Sequence, residues 1–315
     1  MTIKVVTPEG ISAEVIEHSK SIHDGSEIVT VNLRYGLIIH AEWLRHRLIT
    51  NNVKSNRAIP AKVIRKEVMG DPYIPVWFGE NQAGMVAEKK AKNEKLLRFI
   101  WKAARYPACF AHYIGEKLGL HKEALNRLLM PWQWVRQTST FTDGDNLYNL
   151  RLHCDAQKDI QAVVRCVFEA VKQSKPQDLS YGEYHTPYVQ KQRIGGVLYY
   201  LDNNGSYLSV EEAIKCSAAR CARSSYDKHD GGKTTAKDDV PLYERLIVSQ
   251  PAHASPVENQ ATPFPYNEKA AFDIKGVTHV TKDNRIGSGN FYGWIQHRQE
   301  LDNHTCWDYK EAVNN

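Results

Sequence analysis

Residues 27–47, EIVTVNLRYGLIIHAEWLRHR, decide how this chain is read. From Glu27 to Tyr35 the residues alternate, with Val29, Val31 and Leu33 on one face and Thr30, Asn32 and Arg34 on the other. That period of two is the mark of a half-buried strand. Gly36 breaks the alternation, and Leu37 to Arg47 reads as a short helix ending in basic residues. Strand, break and helix together set Arg45, His46 and Arg47 at one end of an ordered element.

Outward from this unit, VRQTSTFTDGDN (135–146) reads as a loop, because hydroxyl side chains and Asp-Gly are turn formers. Helices are expected over Ala87–Arg105, with Leu96, Leu97, Ile100 and Trp101 as its apolar face, and over Lys122–Leu129, stopping before Pro131. Asp155 is placed to cap a helix whose stripe is Ile160, Val163, Val164, Val167 and Val171. Ser209 and Glu212 form a capping box opening VEEAIKCSAARCA, and Pro241 stands near the start of a further helix, PLYERLIVS. VWFGENQAGM (76–85) reads as a structural turn in preference to a lid. Proline and glycine cluster in 175–206 and 263–293, and the first cluster marks a junction near residue 175. Trp43-Leu44-Arg45-His46-Arg47 is echoed by Trp294-Ile295-Gln296-His297-Arg298.

The 315 residues are 42% hydrophobic and 24% charged, enough apolar material for a sizeable core. No stretch approaches the ~20 apolar residues that cross a bilayer, and MTIKVVTPEG lacks the regions of a secretory signal, so a cytoplasmic protein is expected. The six cysteines are scattered and read as reduced thiols. Cys216, Cys221 and His229 match no common zinc spacing, and no metal is expected. A net charge of +5 suits anionic small molecules as well as a weak nucleic-acid binder.

The densest chemical signal is WLRHRLITNNVKSNRAIP (43–60). Guanidinium forks bind phosphate and carboxylate oxygens in pairs, and a serine hydroxyl can complete such an anion cradle. On residue chemistry alone, a solvated basic patch at a helix C-terminus is the simpler reading. A nucleic-acid arm, with Trp43 stacking on bases, is a rival of another class.

Arg45-His46-Arg47, seven residues, then Ser55 resembles the signature of the flavin-dependent thymidylate synthases. Two segments in the family's order accompany it: Asn126-Arg127-Leu128-Leu129-Met130-Pro131, and Asn149-Leu150-Arg151 with Ala156-Gln157-Lys158-Asp159-Ile160-Gln161. Cys221-Ala222-Arg223-Ser224-Ser225-Tyr226 and His253-Ala254-Ser255-Pro256-Val257-Glu258-Asn259 resemble segments that usually precede the Arg-His-Arg motif. Their place behind it is what a circular permutation gives. The phage-type members are similar in their lead-in, here Ile38-Ile39-His40-Ala41-Glu42, and in a tail like Ser55-Asn56-Arg57-Ala58-Ile59-Pro60. Residues 61–120 and those after about 265 lie outside the resemblance.

The resemblance implies an α/β (α+β) fold, a mixed or antiparallel sheet packed by helices, with a core over 1–175 and a displaced segment over 176–315. It implies reductive methylation of dUMP to dTMP, with methylenetetrahydrofolate as carbon donor and reduced FAD, renewed by NADPH, as hydride donor. Arg45 and Arg151 would be catalytic. Arg45, Ser55, Asn56, Arg57, Arg127 and Arg151 would hold dUMP. His46, Arg47, Asn52, Ser225, Ser255 and Glu258 would hold FAD. A homotetramer is implied, in which Ser55 and Arg57 serve a neighbour's site; neither membrane nor nucleic acid is an expected partner. Three positions depart from the family pattern: Val53 for a glutamate, Asp155 for a histidine and Glu42 for a glutamine. They leave room for hydroxymethylation, a dCMP substrate, or a relative that binds without turnover.

Overall fold

The alternating stretch at 27–36 lies inside a six-stranded sheet. The computed structural model describes residues 3–223, 234–248, 252–265 and 273–305. In it β1 (Ile3–Val6), β2 (Ser12–Ser21), β3 (Glu27–Gly36), β4 (Ile49–Val53) and β5 (Trp134–Phe141) run in the order β1-β2-β3-β5-β4, each pair antiparallel. A short β6 (Gln177–Leu179) pairs in parallel with the end of β2, which makes the sheet mixed.

The expected loop at 135–146 is therefore corrected: β5 is an interior strand, flanked on both sides. Its Gln137, Thr138, Ser139 and Thr140 are all buried. They tolerate burial because each finds a cross-strand partner. Gln137 donates to Asn51 Oδ1 at 3.1 Å and Ser139 to the same oxygen at 3.0 Å, on the face shared with Val31, Leu33 and Tyr35. On the opposite face Thr138 donates to Asn32 Oδ1 at 2.8 Å, and Thr140 shares a 2.7 Å hydrogen bond with Thr30.

Helix α1 (His40–Leu44) stops at Leu44, so the basic trio lies beyond the helix and not at its end. The reason is Trp43, which is fully buried and ties its Nε1 to Asn51 Oδ1 at 2.7 Å, while a turn from Trp43 O to His46 N redirects the chain into β4. A buried Trp43 cannot stack on nucleic-acid bases, which removes the aromatic half of that rival reading. Helix α2 (Ala61–Gly70) packs on α3 (Glu94–Lys117). The latter begins later and runs further than the spacing predicts, and passes through exposed Pro107, where water can satisfy the freed carbonyl. Leu96 and Ile100, expected inward, face solvent with Phe99 and Phe110; Trp101 packs inward and donates to Tyr73 O. Residues 76–85 run as irregular coil and bends, with Gly79 bridged to Lys90 and Phe78 edge-on to Trp101.

Helix α4 (Lys122–Leu125) passes into a 3₁₀ segment, Asn126–Trp132, that includes Pro131 in place of stopping before it. After α5 (Gly144–Arg151), α6 (Lys158–Gln173) lays Ile160, Val163, Val164 and Val167 in the core, as its periodicity predicts. Asp155 is not its cap; Gln161 Nε2 gathers the carbonyls of His153, Cys154 and Ala156 and shapes the entry.

In the second half, β7 (Gln190–Ile194), β8 (Val197–Leu201) and β9 (Tyr207–Leu208) form a small antiparallel sheet. The capping box at Ser209 and Glu212 opens α7 (Val210–Arg223), with reciprocal bonds of 2.9 and 3.2 Å. Helix α8 (Ala236–Val248) starts before Pro241, because Thr235 and Asp238 cap it upstream. Trp294 lies in a strand, Trp294–Gln296, whereas Trp43 lies in a helix, so the sequence echo has no common structure. Among the described residues no helix is long and apolar enough to cross a membrane.

Candidate functional site

Beyond β4 the chain forms a loop, residues 54–60, whose shape is dictated by one buried amide. Asn126 Nδ2 donates to Asn56 O at 2.9 Å and to Ile59 O at 3.0 Å, while Asn56 Nδ2 donates to Gln133 Oε1 at 2.6 Å. Gln133 in turn donates to Asn126 O at 2.7 Å. This clasp fastens the loop to the 126–132 segment, and it brings Ser55, Asn56 and Arg57 to the same cavity as Arg127, 70 residues away in sequence. The cavity holds about 270 Å³. Leu37, Val53, Trp134 and Val135 give it an apolar wall, with His40 beside them, and Lys54 and Glu67 lie at its edge as a 3.3 Å ion pair. Among the described residues Arg57 and Arg127 have no ion pair, which leaves two guanidinium groups for an anion. Val53 lines the wall as an apolar residue.

Arg45, His46 and Arg47 stand apart from this cavity. Arg45 and Arg47 are exposed; His46 is buried. Arg151 Nε donates to His46 Nε2 at 2.6 Å, and its Nη2 to Glu42 O at 3.3 Å. Burial, with the Arg151 cation beside it, pushes the His46 imidazole down to about 4, so it is neutral and serves as acceptor. Arg151 is thus joined to His46, and neither lines the cavity of Ser55, Arg57 and Arg127. Glu42 Oε2 is buried without a partner among the described residues.

Asn52 and Ser255 meet elsewhere. Asn52 Nδ2 donates to Ser255 O at 3.2 Å, and both line a cavity of about 370 Å³ with Ser55, Arg57, Ala222 and His253. This space shares Val53, Ser55 and Arg57 with the first. Glu258 is committed to an ion pair with Arg298, and burial raises its carboxyl against the pull of that guanidinium. Ser225 lies outside the described residues. Of the five flavin-assigned side chains that are described, Asn52 and Ser255 line one cavity together, and the described set by itself does not fit the whole group.

Three residues to which the sequence assigned no role are structurally decisive here. Asn126 and Gln133 form the clasp, and His40 lines the first cavity. His40 lies in the lead-in segment, but only its tertiary neighbours give it a role.

No family model matches the sequence, and no curated protein matches it. Among solved structures, the chain is similar to the crystal structure of a UMP/dUMP methylase, PolB, from Streptomyces cacaoi, bound with 5-Br dUMP. The identity is 13%, the match covers 54% of this chain and 93% of that one, and the TM-score is 0.42.

Proposed function

We propose that this chain binds a pyrimidine nucleoside monophosphate and modifies its base, as a relative of the flavin-dependent thymidylate synthases. One observation carries the reading: Ser55, Asn56, Arg57 and Arg127, nominated by motif spacing, meet in one cavity. In this reading Arg57 and Arg127 take the phosphate, with Ser55 donating a hydroxyl, while Asn56 holds the loop through Gln133. The wall of Leu37, Val53, Trp134 and Val135 accepts a flat ring. Among the described residues no cysteine lines this cavity, and addition of a protein thiol to the base is not part of the reading.

The finer assignment is methylation of dUMP to dTMP with methylenetetrahydrofolate, FAD and NADPH, and it follows the motifs. FAD would supply a hydride when bound, and Asn52 and Ser255 are the described groups that would meet it. Assembly into a homotetramer is part of the proposal. It is supported by the absence of Arg151 and His46 from the lining of the Ser55 and Arg57 cavity, and by the apolar residues on α3 that the described residues leave exposed. Residues 1–175 would form the core and 176–315 the displaced flavin-type segment. Hydroxymethylation on the same scaffold is the alternative reaction, and its ground is Glu42, whose Oε2 is buried without a partner among the described residues.

Calorimetric titration with dUMP tests the binding, and mass spectrometry of products from dUMP or dCMP with methylenetetrahydrofolate, NADPH and reduced FAD tests the reaction. Binding that Arg57→Ala and Arg127→Ala each weaken roughly tenfold or more is expected, since a charge-assisted bond contributes about 1.5–3 kcal/mol. Nucleotide binding indifferent to both substitutions would sink the proposal.

A further inference from the structure

The polarity of a buried hydrogen-bond chain behind the first cavity fixes the protonation pattern of His40. The chain is anchored at Trp43, whose Nε1 can only donate, and which donates to Asn51 Oδ1 at 2.7 Å. Asn51 Nδ2 donates to Ile49 O at 3.1 Å, in agreement with that orientation. Gln137 Nε2 donates to the same Asn51 oxygen and to Ser139 Oγ at 2.9 Å, so Gln137 must turn its Oε1 the other way. That oxygen accepts the hydroxyl proton of Tyr35 at 2.9 Å. The Tyr35 proton is thereby spent, and the 2.8 Å contact between Tyr35 oxygen and His40 Nδ1 is a bond in which the imidazole donates. Half-burial lowers the His40 pKa and favours the neutral ring. A neutral ring protonated on Nδ1 carries a bare lone pair on Nε2, and that nitrogen has no hydrogen-bond partner among the described residues. His40 lines the cavity beside Leu37, Val53 and Val135.

We propose that His40 is a specificity-determining residue: its Nε2 accepts the ring N3–H of a uracil base seated against the apolar wall. The inference rests on the nucleotide reading of this cavity and names the base. Uracil presents N–H at position 3, where cytosine presents a bare nitrogen, so an acceptor locked in this place selects the first and repels the second. Tyr35 is a positioning residue, which holds the tautomer without touching the ligand.

The test is a binding cycle on the full chain with dUMP, 3-methyl-dUMP, dCMP and deoxyribose 5-phosphate as probes. Wild type should prefer dUMP over 3-methyl-dUMP and over dCMP by roughly tenfold or more, the size of one buried hydrogen bond with an unsatisfied alternative. His40→Phe should bring the three nucleotides within about threefold of one another while leaving deoxyribose 5-phosphate binding unchanged. Tyr35→Phe, which keeps the ring volume, should reduce the preference in the same direction. Unchanged deoxyribose 5-phosphate binding also shows that each variant has folded. If the sugar phosphate does not bind, or ignores Arg57→Ala, the nucleotide reading fails and this inference with it. If it binds and depends on Arg57, but dUMP loses nothing to N3 methylation or to His40→Phe, His40 is not the reader. Tighter binding of dCMP than dUMP by wild type would overturn the uracil assignment alone.

Discussion

Acid should weaken this protein through His46, and the size of the effect can be worked from its surroundings. The imidazole is buried, accepts a 2.6 Å bond from Arg151 and titrates at about 4 in the folded chain. In the unfolded chain it titrates near 6.5. Between those values the unfolded chain holds a proton that the folded one does not. Stability therefore rises with pH across the window: no penalty applies above about 6.5, and the loss is complete below about 4. At about 1.36 kcal/mol per pH unit the full span is at most about 3.4 kcal/mol, and screening at the partly open Arg151 side lowers it to about 2–3 kcal/mol. Other histidines also titrate low, so the comparison is with His46→Gln, whose amide oxygen can still accept from Arg151 but does not ionise. Urea denaturation in steps from about pH 7.5 to 4.5 gives both stability curves. Wild type should fall below the variant's curve by about 1.5–2 kcal/mol at pH 4.5, relative to neutral pH. Parallel curves would refute the reasoning, because they would mean that His46 takes up a proton as readily folded as unfolded.

Three further outcomes follow from the same structure. Arg220 joins buried Asp202 at 2.6 Å and buried Asp239 at 2.8 Å, so Arg220→Met should cost about 3–5 kcal/mol in urea denaturation; a loss under about 1 kcal/mol would mean the carboxylates find other partners. Asn126→Ala removes the clasp on Asn56 and Ile59 and should cost about 1–3 kcal/mol in stability while weakening dUMP binding; intact binding by calorimetry would show that the loop holds its shape unaided. Replacing Phe99 and Phe110 on the exposed face of α3 by serine should lower the mass seen in sedimentation equilibrium if that face joins copies, and an unchanged mass would place the contact elsewhere.

What could be read from the residues follows from how far each signal reaches along the chain. The capping box at Ser209 and Glu212 spans three residues and is satisfied locally, so it is visible without a fold. The alternation in β3 is visible because one face is apolar. The neighbouring β5 carries Gln, Thr, Ser and Thr in turn, and nothing local distinguishes a polar strand from a polar loop. Its partners lie about 90 to 110 residues away, at Asn51 and Thr30. In the site, the spacing from Arg45 to Ser55 and the Asn-Arg pair at 126–127 nominate residues of which Ser55 and Arg127 share a cavity. The tautomer of His40 is invisible in sequence, because it depends on a chain of donors and acceptors running through β3, β4 and β5.

The same strand that misleads a reader of the sequence is what makes the site reproducible. An interior strand of four polar residues is costly unless each is paired, because an unmade buried bond forfeits about 1–3 kcal/mol. That cost works as a register lock. Slipping β5 by one residue against β3 would turn Gln137 and Ser139 away from Asn51, and would point Thr138 and Thr140 into the apolar face of Val31 and Leu33. A strand of valines would pack nearly as well after a two-residue slip; this one would not, since Thr138 must find Asn32 and Thr140 must find both Thr30 and Asn259. Tyr188 adds to the lock from the second half of the chain. Its hydroxyl bonds to Thr138 at 2.7 Å and its carbonyl accepts from Arg220, while its backbone is held at φ +69°, a conformation unfavourable for tyrosine. Strain of that kind persists only where its surroundings over-determine it. The polar face of the sheet thus fixes the register of β5, the register fixes Gln137, and Gln137 fixes the direction of the proton on Tyr35 and so the lone pair that His40 offers to the cavity.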